Sequence, residues 1–183
     1  MKKKLLLMLA TLMCVSLCAC GGSNKKGEIG ETYTSNDGIE FTLNSIEFTD
    51  AMDNWGGAND NYWKPLPKDA NRNQLANAVV PKSKDETICV ISFTAKSVSK
   101  NDRVIDEIGT LNYDNGYTYS EGGLSYRVSA EGVWCDIPGG LKLEKLKENS
   151  YEFRAYMVVP KVLATETDKP LTYELFGVKY DLR

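Results

Sequence analysis

TICVISFTAKSVS, residues 87–99, is the stretch that decides the fold. Its apolar positions Cys89, Ile91, Phe93 and Ala95 share one parity, the two-residue period of a strand with a buried face. Its β-branched residues suit a pleated, half-buried surface. Ile88 and Val90 fall on the opposite parity, so the start of this strand should be covered on both faces and the strand should be central.

The same period extends in both directions. Upstream, Ile39, Phe41 and Leu43 alternate with polar residues after a turn signal at Asn36-Asp37-Gly38. Ile46 and Phe48 then fall on the other parity, and a bulge near Asn44-Ser45 accounts for the slip. Downstream, LNYDNGYTY at residues 111–119 reads as a hairpin. A two-residue Asn115-Gly116 turn would set Tyr113 on the face opposite Tyr117 and Tyr119. A three-residue turn, Asp114-Asn115-Gly116 with Gly116 left-handed, would put Leu111, Tyr113, Tyr117 and Tyr119 together and is preferred.

Further strands are expected at residues 133–137, 141–146, 151–159 and 171–182, the last broken at Gly177, with one helical turn within residues 160–167. Short strands at this spacing, with no long amphipathic helix and no internal repeat, predict an all-β protein. The expected architecture is an antiparallel β-sandwich with one long inserted loop.

The amino terminus carries an address. Lys2, Lys3 and Lys4 precede an almost wholly apolar run at residues 5–17, too short for an ordinary spanning helix, which needs about 20 apolar residues. Leu17-Cys18-Ala19-Cys20 resembles the lipobox of bacterial lipoproteins, in which the last cysteine is lipidated and becomes the mature terminus. The expected organisation is a cleaved signal peptide at residues 1–19, a lipidated and flexible tether at 20–30 and one domain at 31–183. Lipid on Cys20 would place the protein on the extracytoplasmic face of the cell membrane, since two or more acyl chains anchor stably where one does not.

Composition narrows the function classes. The 183-residue chain is 42% hydrophobic and 26% charged, as expected for one globular domain. It has 22 Lys+Arg against 25 Asp+Glu; without the three signal lysines the balance is 19 against 25, a net −6. That balance offers no basis for nucleic-acid binding, which needs cations to displace counterions from phosphates. There is no histidine, so Ser-His-Asp and Cys-His nucleophiles and His-containing zinc sites are excluded. No enzyme activity and no cofactor are expected.

The order of these segments resembles a family of immunoglobulin-like domains of unknown function found in Gram-positive lipoproteins, itself distantly similar to a secreted mycobacterial immunoprotective antigen. The resemblance rests on GIEFTLNSIEF, ETICVISFTAKSVSK, YDNGYTY and YEFRAYMVVP, which together span most of residues 31–183. It implies an immunoglobulin-like sandwich at the cell surface, with no catalytic residues to carry over.

One region is compositionally unlike the rest. Residues 51–82 hold Trp55, Tyr62 and Trp63 among Asn59, Asp60, Asn61 and other amides and acids. Loops of this length inside a compact domain are often functional. Indole faces beside Asn and Asp would suit a sugar ring. The same aromatics could instead plug one end of the sandwich while the polar residues make Asx-turns. No window matches the spacing of a calcium-binding loop, and no metal site is assigned.

With Cys20 lipidated, Cys89 and Cys135 remain in an exported domain and could pair. Trp134 beside Cys135 resembles the tryptophan-flanked inter-sheet cystine of some immunoglobulin domains, although the order of elements differs. Two buried thiols are the alternative. The function expected is a membrane-anchored, non-enzymatic binding module whose partner is an envelope glycan or protein. A carboxylate-based envelope enzyme such as a glycoside hydrolase, or a purely structural envelope protein, are the alternatives.

Overall fold

The computed structural model describes residues 25–52, 79–128, 134–137, 139–145 and 149–183. It is a two-sheet β-sandwich. In chain order the strands are β1 (Lys25–Gly27), β2 (Thr32–Thr34), β3 (Ile39–Thr49), β4 (Glu86–Ser97), β5 (Arg103–Ile105), β6 (Thr110–Tyr113) and β7 (Tyr117–Tyr119). They continue with β8 (Gly122–Arg127), β9 (Cys135–Asp136), β10 (Leu141–Leu143), β11 (Tyr151–Pro160), α1 (Val162–Thr165), β12 (Leu171–Leu175) and β13 (Val178–Asp181). One sheet runs β2-β3-β4-β11-β8-β9, the other β1-β13-β12-β6-β7, with a small β10-β5 pair beside them.

The opening strand lies where its pattern puts it. β4 is flanked by β3 and β11. Cys89, Ile91, Phe93 and Ala95 are buried between the sheets, and Phe93 stacks on Phe153 at 4.9 Å. Ile88 is buried on the opposite face, as expected of a strand start covered twice. The register of β3 against β4 shifts between Leu43 and Ser45, the predicted bulge. Facing sheet residues Leu111, Tyr173, Leu175 and Tyr180 complete the core.

Several expectations need correction. Lys25–Gly27, within the segment read as tether, forms β1 and pairs in parallel with β13, so the folded unit begins before residue 31. Gly27 is required there, because a Cβ would lie 2.5 Å from Val178 Cγ1. Every other pairing among the described strands is antiparallel. β2, β5 and β8 carry no separate sequence signal; β8 contains the Gly122-Gly123 pair that disfavours a strand reading.

The hairpin has the preferred three-residue turn, with Leu111 opposite Tyr119 and Tyr113 opposite Tyr117. The left-handed residues, however, are Asp114 (φ 48°) and Asn115 (φ 55°), not Gly116. Short polar side chains tolerate that region because they bond locally to the backbone. The break at Gly177 is a two-residue turn with Phe176 (φ 48°) and Gly177 (φ 76°) both left-handed. A bulky residue is uncommon there. Phe176 compensates by packing its ring against Phe41 at 4.9 Å and Phe93 at 6.0 Å.

Cys89 and Cys135 are thiols, not a cystine. Both belong to the same sheet, on β4 and β9, with β11 and β8 between them. Three strand spacings amount to roughly 14 Å, about twice the Cα separation a disulfide tolerates. Of the two readings left open, a bridge or two thiols, this topology has the thiols.

Candidate functional site

The site is built on the outer face of the six-stranded sheet. The long insertion leaves and re-enters this face through an antiparallel bridge between Met52 and Val79, whose N–H groups each donate to the other's carbonyl at 3.0 and 2.9 Å. Alternation along β4 turns Ile88 and Val90 outward, and β11 adds Tyr156. These residues and the bridge pair form a second apolar cluster, with Met52 and Ile88 buried.

The root is also fastened by polar contacts. The Thr87 hydroxyl donates to the Thr49 carbonyl at 2.9 Å. The Glu86 carboxylate accepts the Lys82 and Ser83 N–H groups, each at 3.1 Å. Lys161, just before α1, bonds Asp50 at 3.0 Å. A segment whose two ends are so held has a fixed base, whatever its interior does. Trp55, Asn59, Asp60, Asn61, Tyr62 and Trp63 lie outside the described residues, as does Cys20.

Two residues beyond Tyr156 on the same face of β11 is Arg154, and its diagonal neighbour on β8 is Arg127. Both guanidinium groups lie over the ring of Trp134, which precedes β9: Arg127 at 4.7 Å and Arg154 at 4.4 Å from its centroid. Arg127 is also paired with the Glu152 carboxylate at 2.5 Å. Burial, and secondarily the Arg127 charge, push Arg154 down to about 10. Contacts of this kind contribute about 0.5–2 kcal/mol, more when desolvated. They hold two cations and an indole on one patch, continuous along β11 with the apolar cluster.

In the sequence Trp134 stands out only as a neighbour of Cys135, and Arg127 and Arg154 do not stand out. A signal was present. In YEFRAYMVVP the positions Glu152, Arg154 and Tyr156 share the parity that faces away from Phe153, Ala155 and Met157.

Apart from this surface there is a recess of about 450 Å³ lined by Asp106, Glu107, Thr110 and Glu121 among others. The Glu107 carboxylate accepts the Phe176 N–H at 3.2 Å. Loss of solvent pushes Glu107 above the usual carboxylate range, against the pull of that hydrogen bond, with Asp106, Asp37 and Glu174 adding to the rise. Among the described residues no three acidic or thiol groups are close enough to hold a metal ion.

The fold and this surface define a β-sandwich protein with an ornamented outer sheet face. One similar solved structure is a crystal structure of an uncharacterised β-sandwich protein from Clostridium difficile 630. It is 22% identical, with a TM-score of 0.56, over 91% of this chain and 99% of that one. At that identity the likeness is one of fold. No family model matches this chain, and no curated protein matches it.

Proposed function

We propose that this protein is a membrane-anchored extracytoplasmic lipoprotein with an immunoglobulin-like sandwich, acting as a non-enzymatic binding module at the cell envelope. The observation that carries the binding reading is the continuous outer-sheet surface. There the fixed root of the insertion at Met52 and Val79 adjoins an apolar cluster and, beyond it, the Arg127–Trp134–Arg154 group. A sheet face turned to water is normally polar and alternating. The partly buried Val79, Val90 and Tyr156 and the two guanidinium groups on that face suit a partner that offers both hydrophobic contact and negative charge, such as an acidic envelope glycan. In this reading Trp55, Tyr62 and Trp63 of the insertion supply stacking surfaces beside Asn59, Asp60 and Asn61. The anchor reading rests on Leu17-Cys18-Ala19-Cys20.

Two experiments test it. Cys20→Ala should release the protein from membranes into the medium; continued membrane association with no lipid mass sinks the anchor. A binding screen against envelope glycans and proteins, using the soluble form from Ser23 onward so that β1 is kept, should yield a ligand whose binding weakens in Arg154→Gln. Ligands that bind wild type and Arg154→Gln equally would move the site off this face.

A further inference from the structure

The direction of β1 relative to the insertion carries an inference that rests on the anchor reading above. β1 runs parallel to β13, with Lys25 opposite Val178 and Gly27 opposite Tyr180. Its first residue therefore lies beside the Phe176-Gly177 turn, whose phenyl ring reaches Phe41 and Phe93. Phe41 pairs with Ala95, in the half of β4 that ends at Ser97. The chain before Lys25 leaves toward that end of the sandwich, where the Val98 N–H bonds the Gly38 carbonyl and the Arg103 side chain bonds the Asp37 carbonyl.

The insertion is rooted at the other end. Thr49, three residues before Met52, pairs with Ile88, and Glu86 at the start of β4 pairs with Pro160. α1 and the hairpin turn mark the same end: the Lys161 N–H bonds the Asp85 carbonyl at 2.8 Å, and the Tyr113 hydroxyl donates to Glu166 beyond α1. The twelve residues of β4 span about 40 Å between the two ends. From Cys20 to Lys25 the backbone can reach at most about 18 Å, so the lipid cannot be carried round to the insertion's end.

We infer that the end of the sandwich bearing the turns at residues 36–38 and 99–101 is the surface that faces the lipid headgroups, and that the insertion's root is presented away from the membrane. The root of the insertion then stands clear of the bilayer, and the surface runs from it along β11 down to the Arg127–Trp134–Arg154 group nearer the headgroups, open to a large envelope partner.

Energy transfer to the membrane tests this on the full lipidated protein. Exposed Lys100 and Lys84 flank the two ends of β4 and can each be replaced by Cys for a donor dye, in a Cys135→Ser background with Cys89 buried. Each protein is reconstituted into phosphatidylglycerol-containing vesicles carrying an acceptor on the lipid headgroup. Lys100→Cys should be quenched severalfold more than Lys84→Cys. Asn36→Cys and Lys82→Cys, exposed at the same two ends, give an independent pair should either first variant misfold. Equal quenching, or stronger quenching at Lys84 and Lys82, in protein that floats with the vesicles overturns the orientation alone. Protein that carries no lipid and fails to float overturns the anchor and the orientation with it.

Discussion

Tyr173 and Tyr180 face each other across the β12–β13 pair, with ring centroids 6.4 Å apart and both side chains buried, but only one hydroxyl is satisfied. Tyr173 donates to the Ile108 carbonyl at 2.7 Å. The Tyr180 hydroxyl is buried with no hydrogen-bond partner among the described residues. Tyr180→Phe should therefore leave stability unchanged or raise it by up to about 1 kcal/mol, because it removes an unpaid desolvation penalty. Tyr173→Phe should cost about 1–3 kcal/mol, since it strands the Ile108 carbonyl. Urea unfolding of the two single mutants measures both, and a larger loss for Tyr180→Phe would contradict the assignment.

Cysteine chemistry gives a second prediction. Burial pushes the Cys89 thiol up to about 12, and Cys135 is half-buried. The native, unreduced protein should react with a thiol reagent at Cys135 first and leave Cys89 untouched until it unfolds. Peptide mapping without reductant should find no link between them. Recovery of a Cys89–Cys135 peptide would require a different strand order.

The pH dependence of Glu107 follows from the direction of its shift. A carboxyl whose folded pKa is raised binds its proton more tightly when folded. It therefore destabilises the fold above its folded pKa and has no effect below its unfolded one. Glu107→Gln keeps an acceptor for the Phe176 N–H and removes the charge. The variant should melt slightly higher than wild type at neutral pH, with the gap closing as pH falls through the carboxylate range. A gap that widens in acid would reverse the sign and the explanation.

The two left-handed turns respond differently to substitution. Asn115→Val in the hairpin should cost about 1–2 kcal/mol, the penalty for an ordinary residue in that region, while Asn115→Gly should be neutral or better. Phe176→Gly relieves the same strain but loses an aromatic ring packed on Phe41 and Phe93, so it should destabilise by roughly 3 kcal/mol or more. Thermal melts that rank Phe176→Gly above wild type would show that the strain outweighs the packing.

Much of the architecture was legible where alternation is long and uninterrupted. The centrality of β4, the bulge between Leu43 and Ser45, the three-residue hairpin turn and the helical turn after Pro160 all follow from patterns within one segment. β1 was not legible because Lys25-Lys26-Gly27 has no apolar alternation; it becomes a strand only because the β13 edge is there to pair with it. β8 was hidden in the same way by Gly122-Gly123. Of the Arg127–Trp134–Arg154 group only the outward parity of Arg154 was legible, because β8 and the approach to β9 meet only through the sheet.

What the sequence by itself determined is local: which residues face the core along each strand, and where a strand must bulge or turn. Each depends on side-chain periodicity or on neighbours a few residues away, so it is written in contiguous letters. Strand order is different, because it is set by which edges find one another across long separations. Only the tertiary structure could decide that Cys89 and Cys135 share a sheet, three strands apart. The same holds for the parallel pairing of β1 with β13, which places Lys25 at the end opposite the root of the insertion. Backbone hydrogen bonding between strands is nearly indifferent to sequence, so the partners are chosen by the packing of the whole core.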